Sequence, residues 1–253
     1  MNFLLLLFIL GCAIGSFLNV LIGRLPNQQS ILGRSHCDHC QKILTPVDLV
    51  PVLSFFWLKR RCRRCQVPLS WQYPLVELLT GLTFVFIGTR PGLNLAYFGI
   101  FSVLIVIFFA DLKYQIIPDS MQFLLLLFSV IYLATTYSAG QLPVVFFGQT
   151  VAGTVIMLPI LFLFLITKGG GMGFGDVKLS FIIGFMFGLL QGVVVLYLAF
   201  ISGALIGIIL LLSGRKKPSS HIAFGPFLVF GIIATILWGD VLSLLLRRII
   251  GLI

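Results

Sequence analysis

The chain has 253 residues, of which 59% are hydrophobic and only 9% charged, with a mean hydropathy of +1.14. A water-soluble domain carries nearer a quarter charged residues, so this composition excludes one and points to an all-α polytopic membrane protein. The formal net charge of +10 invites a nucleic-acid reading, but no separate basic domain carries it, and no nucleic-acid partner is expected.

Apolar runs of membrane length fall at 3–22, 74–88, 93–110, 121–137, 144–166, 177–190, 192–213 and 224–246, about eight transmembrane helices, of which the second and sixth are short. The first run lacks a basic flank and a cleavage-like end, so it reads as a retained helix rather than a signal peptide. With the N-terminus outside and alternating helices, every Lys and Arg falls inside except Arg90, Arg247 and Arg248. The basic balance is then a topology device that also meets anionic lipid headgroups.

The first run carries Gly11 and Gly15 four apart, a spacing for close helix contact, and the polar Ser16 and Asn19, which read as interhelical hydrogen-bonding groups. Cys12 reads as a small core residue. Between the first two runs, residues 24–73 form a small cytosolic segment holding Cys37-Asp38-His39-Cys40 and Cys62-Arg63-Arg64-Cys65. Two Cys-x-x-Cys pairs at this separation supply four thiolates to a tetrahedral Zn2+ knuckle, with His36 or His39 as the alternative ligands. Two redox disulfides are the other reading, and an inside location opposes it. No internal repeat is evident.

Glu77, one turn into the second helix, is either a first-turn acid favoured by the macrodipole or a buried contact to a substrate amine or another cation. Asp111 follows an apolar run without such an explanation, whereas Asp119, after Pro118, reads as the N-cap of the following helix. Gly169 to Asp176 is a glycine-dense stretch ending in an acid. It lacks the strand and the Gly-Lys-Ser/Thr ending of a phosphate loop, so its glycines read as permitting close approach of an extended backbone. The alternative is a loop whose Asp176 only caps the next helix. His221 and Asp240 read as interfacial.

The third and fifth runs travel in the same direction, so Asp111 and Asp176 share one face of the membrane despite their separation in sequence. Two carboxyls close together in a poorly solvated site share one proton, the arrangement by which aspartic proteases activate water and polarise a carbonyl.

These residues carry a resemblance. Gly15-Ser16-Phe17-Leu18-Asn19-Val20, the two cysteine pairs, Tyr73-Pro74-Leu75-Val76-Glu77, Asp111 with Ile117-Pro118-Asp119, Gly173-Phe174-Gly175-Asp176-Val177-Lys178 and Phe224-Gly225-Pro226-Phe227 together resemble the type IV prepilin peptidases, GxGD aspartyl proteases. The resemblance implies a catalytic pair at Asp111 and Asp176. It implies cleavage of prepilins and pseudopilins after the leader's glycine on the cytosolic side, then methylation of the new N-terminal residue, typically Phe, from S-adenosylmethionine. Substrate or cofactor contacts are expected at Glu77, Asp119, Gly173, Gly175 and Lys178, zinc at Cys37, Cys40, Cys62 and Cys65, and residence in a bacterial inner membrane. The domain expectation is a first helix at 1–23, a zinc segment at 24–73 linked to methyl transfer, and a seven-helix protease core at 74–253. The rival readings are a membrane thiol-disulfide oxidoreductase and a non-catalytic assembly or transport protein.

Overall fold

The computed structural model describes residues 2–90, 95–214 and 223–249. Among them the backbone forms eight α-helices and no extended strand: α1 (Asn2–Arg24), α2 (Leu53–Trp57), α3 (Gln72–Thr89), α4 (Ala96–Tyr114), α5 (Asp119–Thr136), α6 (Leu142–Thr167), α7 (Phe174–Leu212) and α8 (Gly225–Ile249). Six of these, α1 and α4 to α8, are long and apolar enough to cross a membrane. Large apolar side chains lie bare along them, such as Val144, Phe147 and Phe162 on α6. Lipid accepts such a surface and water does not, so the protein is a multi-pass membrane protein.

The sixth and seventh apolar runs are the two helical arms of α7, which together span 39 residues. A straight helix of that length would reach about 58 Å, nearly twice a bilayer core. It is broken at Gly188, whose φ of 76° and ψ of −177° are non-helical. A Cβ added at Gly192 would stand 3.4 Å from the Gly184 Cα, whereas eight residues of unbroken helix separate their ends by about 12 Å. The chain therefore doubles back, and the arms 174–187 and 189–212 account for the two runs. Helix α2 is an addition to the expected set, and the basic loop at 215–221 lies outside the described residues.

The chain divides into two compact units, Met1–Val106 and Ile107–Ile253. In the first, α1 lies along α3 through small residues: a Cβ at Gly11 would stand 2.8 Å from the Gly81 Cα, and one at Gly15 would stand 2.7 Å from the Glu77 Cα. Without hydrophobic attraction between helices in lipid, such close backbone approach supplies the packing. Asn19 Nδ2 donates to the Tyr73 carbonyl at 3.0 Å, the interhelical bond its position suggests, and Cys12 is buried against Gly81.

In the second unit α6 and α8 both lie along α7. A Cβ at Gly184 would meet the Ala152 carbonyl at 2.6 Å, and one at Gly231 would meet the Val195 carbonyl at 2.6 Å. Ile160, Leu179, Ile183, Leu228 and Ile232 fill the space between. Helix α5 packs on α7 as well.

Candidate active site and metal centre

Asp111 lies one turn from the C-terminal end of α4, where the helix dipole opposes a negative charge. The opposing end of another helix offsets this. Gly225, the first residue of α8, donates its N–H to Asp111 Oδ2 at 2.9 Å, a backbone donor that the helix itself leaves free. A Cβ at Gly225 would stand 2.6 Å from that oxygen, so glycine is what permits the approach.

Asp176 is the third residue of α7, at the end where the dipole favours it. Its Oδ2 accepts the Gly173 N–H at 3.1 Å, while Oδ1 is buried without a hydrogen-bond partner. The acid thus does cap its helix, as the simpler sequence reading held, but with one oxygen only. Both acids are buried, at 5% and 7% exposure. The glycines beside them both lie against Ile117: a Cβ at Gly225 would stand 3.2 Å from Ile117 Cδ1, and one at Gly175 would stand 3.2 Å from Ile117 Cβ.

The glycines of the loop divide the work. Gly169, at φ 79°, closes α6 by returning its N–H to the Phe164 carbonyl; Gly173 and Gly175 are the ones that touch the acids' surroundings. Asp119 does not cap α5. Pro118 holds the cap position without a side-chain bond, and Asp119, already helical, pairs with Lys178 Nζ at 2.7 Å. The pair is exposed, so it contributes little to stability.

Gln122 was not singled out by the sequence. It is 3% exposed on α5, its Nε2 reaches only the Ile117 carbonyl at 3.5 Å, and its Oε1 is buried without a partner. A Cβ at Gly175 would stand 3.4 Å from that Nε2, so the Gln122 side chain lies beside the glycine that precedes Asp176. A polar amide inside an otherwise apolar run is the signal that points to it.

In the first unit the thiols of Cys37, Cys40, Cys62 and Cys65 all lie within 4.8 Å of one another, with Cys37 Sγ and Cys65 Sγ 3.8 Å apart. A tetrahedron with metal–sulfur bonds of about 2.3 Å has edges of about that length, so the four thiols suit a metal ion. None is in a disulfide. His36 and His39 are not part of the cluster.

The two knuckles are copies of one another, which corrects the expectation of no repeat. Cys37 N–H bonds the Lys42 carbonyl and Gln41 N–H bonds the Cys37 carbonyl; Cys62 to Val67 and Gln66 to Cys62 repeat this. Each closes with a short bridge, His36 with Ile43 and Arg61 with Pro68, and with a positive φ at Gln41 and Gln66. Amides of Cys65 and Arg64 bring the Cys62 thiol down to about 7. Asp48 links a neighbouring turn to the second knuckle through Arg63 Nε at 2.8 Å. Burial pushes its carboxyl up, but the Thr45 hydroxyl and amide and the Arg63 charge outweigh this and hold it below the usual range.

Glu77, also in the first unit, is buried on α3, and its Oε2 accepts the Val52 N–H at 2.7 Å.

Residues 9–90 match the bacterial peptidase A24 N-terminal domain, and residues 98–208 match the type IV leader peptidase family. A Bacillus subtilis protein named prepilin leader peptidase/N-methyltransferase is 32% identical, over 97% of this chain and 99% of that protein. One of the same name from Aeromonas hydrophila is 34% identical over 93% of this chain and 90% of its own length. A third, from Myxococcus xanthus, is 45% identical over 47% of this chain. No solved structure matches.

Proposed function

The chain belongs to the type IV leader peptidase family, and from that premise we propose that Asp111 and Asp176 are the catalytic pair of an aspartic endopeptidase that removes the leader from prepilins and pseudopilins. The observation that carries the reading is the matched tethering of two buried acids. Each has one oxygen fixed by a glycine N–H at a helix N-terminus, and Gly225 and Gly175, beside the two acids, both lie against Ile117.

Two carboxyls brought close together in a dry site hold a single proton between them. The ionised member takes a proton from water, whose oxygen adds to the scissile carbonyl carbon; the protonated member hydrogen-bonds the carbonyl oxygen. Collapse breaks the C–N bond, and the departing amine takes a proton from the pair. Gly173 and Gly175 give an extended leader close access. Gln122, with both amide functions nearly unused, suits a peptide group beside the cleaved bond, and Asp119 and Lys178 form the rim.

The new α-amine is then methylated, with S-adenosylmethionine as the donor that supplies the methyl group. Cys37, Cys40, Cys62 and Cys65 would hold Zn2+, whose chemistry there is a structural cross-link. The charge pattern supports an inner-membrane protein with its N-terminus outside and the acids facing the cytosol. Glu77 has one carboxylate oxygen committed to the Val52 N–H, which supports positioning over contact with a basic leader. Glu77→Lys lowering stability and leader cleavage together fits that role; cleavage lost in a stably folded variant favours the leader contact.

Asp111→Asn and Asp176→Asn should each reduce prepilin cleavage in proteoliposomes by at least about a thousandfold, within the range for loss of acid–base catalysis. Full activity in either variant sinks the protease assignment and revives a transport role. Rapid labelling of Cys37 or Cys62 from outside intact cells supports the oxidoreductase instead.

A further inference from the structure

We infer that α2 and the basic turn after it form a docking surface for an anionic bilayer, a foot lying in the headgroup layer beside α1 and α3. Helix α2 is apolar on both sides. Phe55 faces inward and packs on Trp71 with ring centroids 5.0 Å apart, Phe56 meets the same ring edge-on with centroids 6.4 Å apart while remaining more than half exposed, and Leu53 and Trp57 stand bare, Trp57 being 80% exposed. A short helix surrounded by water carries polar residues on its outer side; this one presents its largest apolar side chains there.

Its depth is set by covalent and hydrogen-bonded links within the first unit. Val52, just before α2, has φ 63° and ψ −53°, a strained conformation for a β-branched residue, with the Leu53 N–H closing a tight three-residue turn onto the Pro51 carbonyl at 2.6 Å. That strain persists only where the surroundings enforce it. Glu77 does so, accepting the Val52 N–H at 2.7 Å. Glu77 is the sixth residue of α3, about 8 Å along the helix from its start, and α3 lies along the apolar α1. The start of α2 is thereby tied at the boundary between the apolar part of these helices and their polar end, where aromatic side chains of membrane proteins collect.

Charge identifies the occupant. After Leu58 come Lys59, Arg60, Arg61 and Arg64, with Arg63 among them paired to Asp48. Lys59 and Arg60 adopt positive φ, which turns the chain sharply at the end of the helix, and Arg60 lies over the Trp71 ring at 5.5 Å. Exposed aromatics with cations beside them are the pattern of an interfacial anchor on anionic lipid.

The test uses the full chain in vesicles, with Trp71 and Trp238 replaced by Phe so that Trp57 is the sole fluorophore. In phosphatidylcholine containing phosphatidylglycerol, lipids brominated near the headgroup end of the chain should quench Trp57 at least about twofold more than lipids brominated near the terminal methyl, and aqueous iodide should quench it little. Removing phosphatidylglycerol should weaken the shallow quenching, and Lys59→Glu with Arg61→Glu should abolish that dependence. Ready quenching by iodide with none by bromolipid overturns the inference in favour of a water-exposed segment. Protection from both quenchers overturns it in favour of a protein partner. Equal dependence on phosphatidylglycerol in the charge variant overturns the electrostatic part.

Discussion

Gly225 shows how one side chain's absence can set a charge. Its N–H fixes Asp111 Oδ2 at 2.9 Å, and the space a methyl group would fill is occupied by that oxygen. Gly225→Ala should therefore displace the carboxylate from the free N–H of α8 and lower leader cleavage by about a hundredfold, the scale of losing one preorganised donor. An unchanged thermal midpoint, with the loss confined to the rate of cleavage, separates this from a packing defect. Asp111 and Asp176 are legible in the sequence because an acid beside an apolar run is costly and helix parity assigns its face. Gly225 is not legible in that way: its partner is 114 residues away, and nothing in its own neighbourhood marks the contact. Gln122 fails to stand out for a related reason, since one amide in a long apolar run signals only once Gly175 is found beside it.

At the scale of elements, the apolar runs map well onto helices, but the breaks between them do not. The turn in α7 sits at Gly188 rather than in a polar loop, because a single glycine at φ 76° reverses the chain without polar residues. The Gln149 carboxamide lies 3.3 Å from where a Cβ would be, so the position is both conformationally and sterically reserved. Gly188→Val should cost on the order of 1–3 kcal/mol, read as reduced resistance to unfolding in mild detergent, with Gly188→Ala falling between it and the native chain. The knuckle repeat is faint in sequence because it rests on backbone hydrogen bonds, the two copies sharing only their cysteines, one glutamine (Gln41 and Gln66) and one leucine (Leu44 and Leu69). Asp48 illustrates the electrostatics of that element. Its carboxyl is held low in the folded state, so its contribution is present above the ordinary carboxylate range near pH 4 and is lost as pH falls through the depressed value. Asp48→Asn should remove that acid-sensitive component, seen as a flatter dependence of knuckle protection from protease on pH below about 4.

The whole molecule combines two units held in different ways. The second, 107–253, is stabilised by long apolar helices that meet through glycines, and it contains both acids and the glycines that bind them. The loop-rich part of the first, between α1 and α3, has few buried side chains: Phe55, Cys37 and Cys62 are its buried apolar residues. So little core cannot offset the chain entropy of almost fifty residues. The four-thiol cluster is then the principal constraint, and metal affinity there becomes folding free energy. Removing the metal with a strong chelator, or replacing Cys37 and Cys62 by Ser, should expose residues 25–71 to limited proteolysis while the helices of the second unit stay protected. If, as proposed, the metal is a cross-link and the acids carry the hydrolysis, leader cleavage should fall by no more than about threefold under the same treatment, and methylation of the product should be lost. Acid should release the metal as the thiolates take up protons, at a pH set by all four together and not by Cys62 alone. Loss of cleavage in step with the metal, with the second unit still protected, would show instead that the knuckles take part in presenting the leader to the acids.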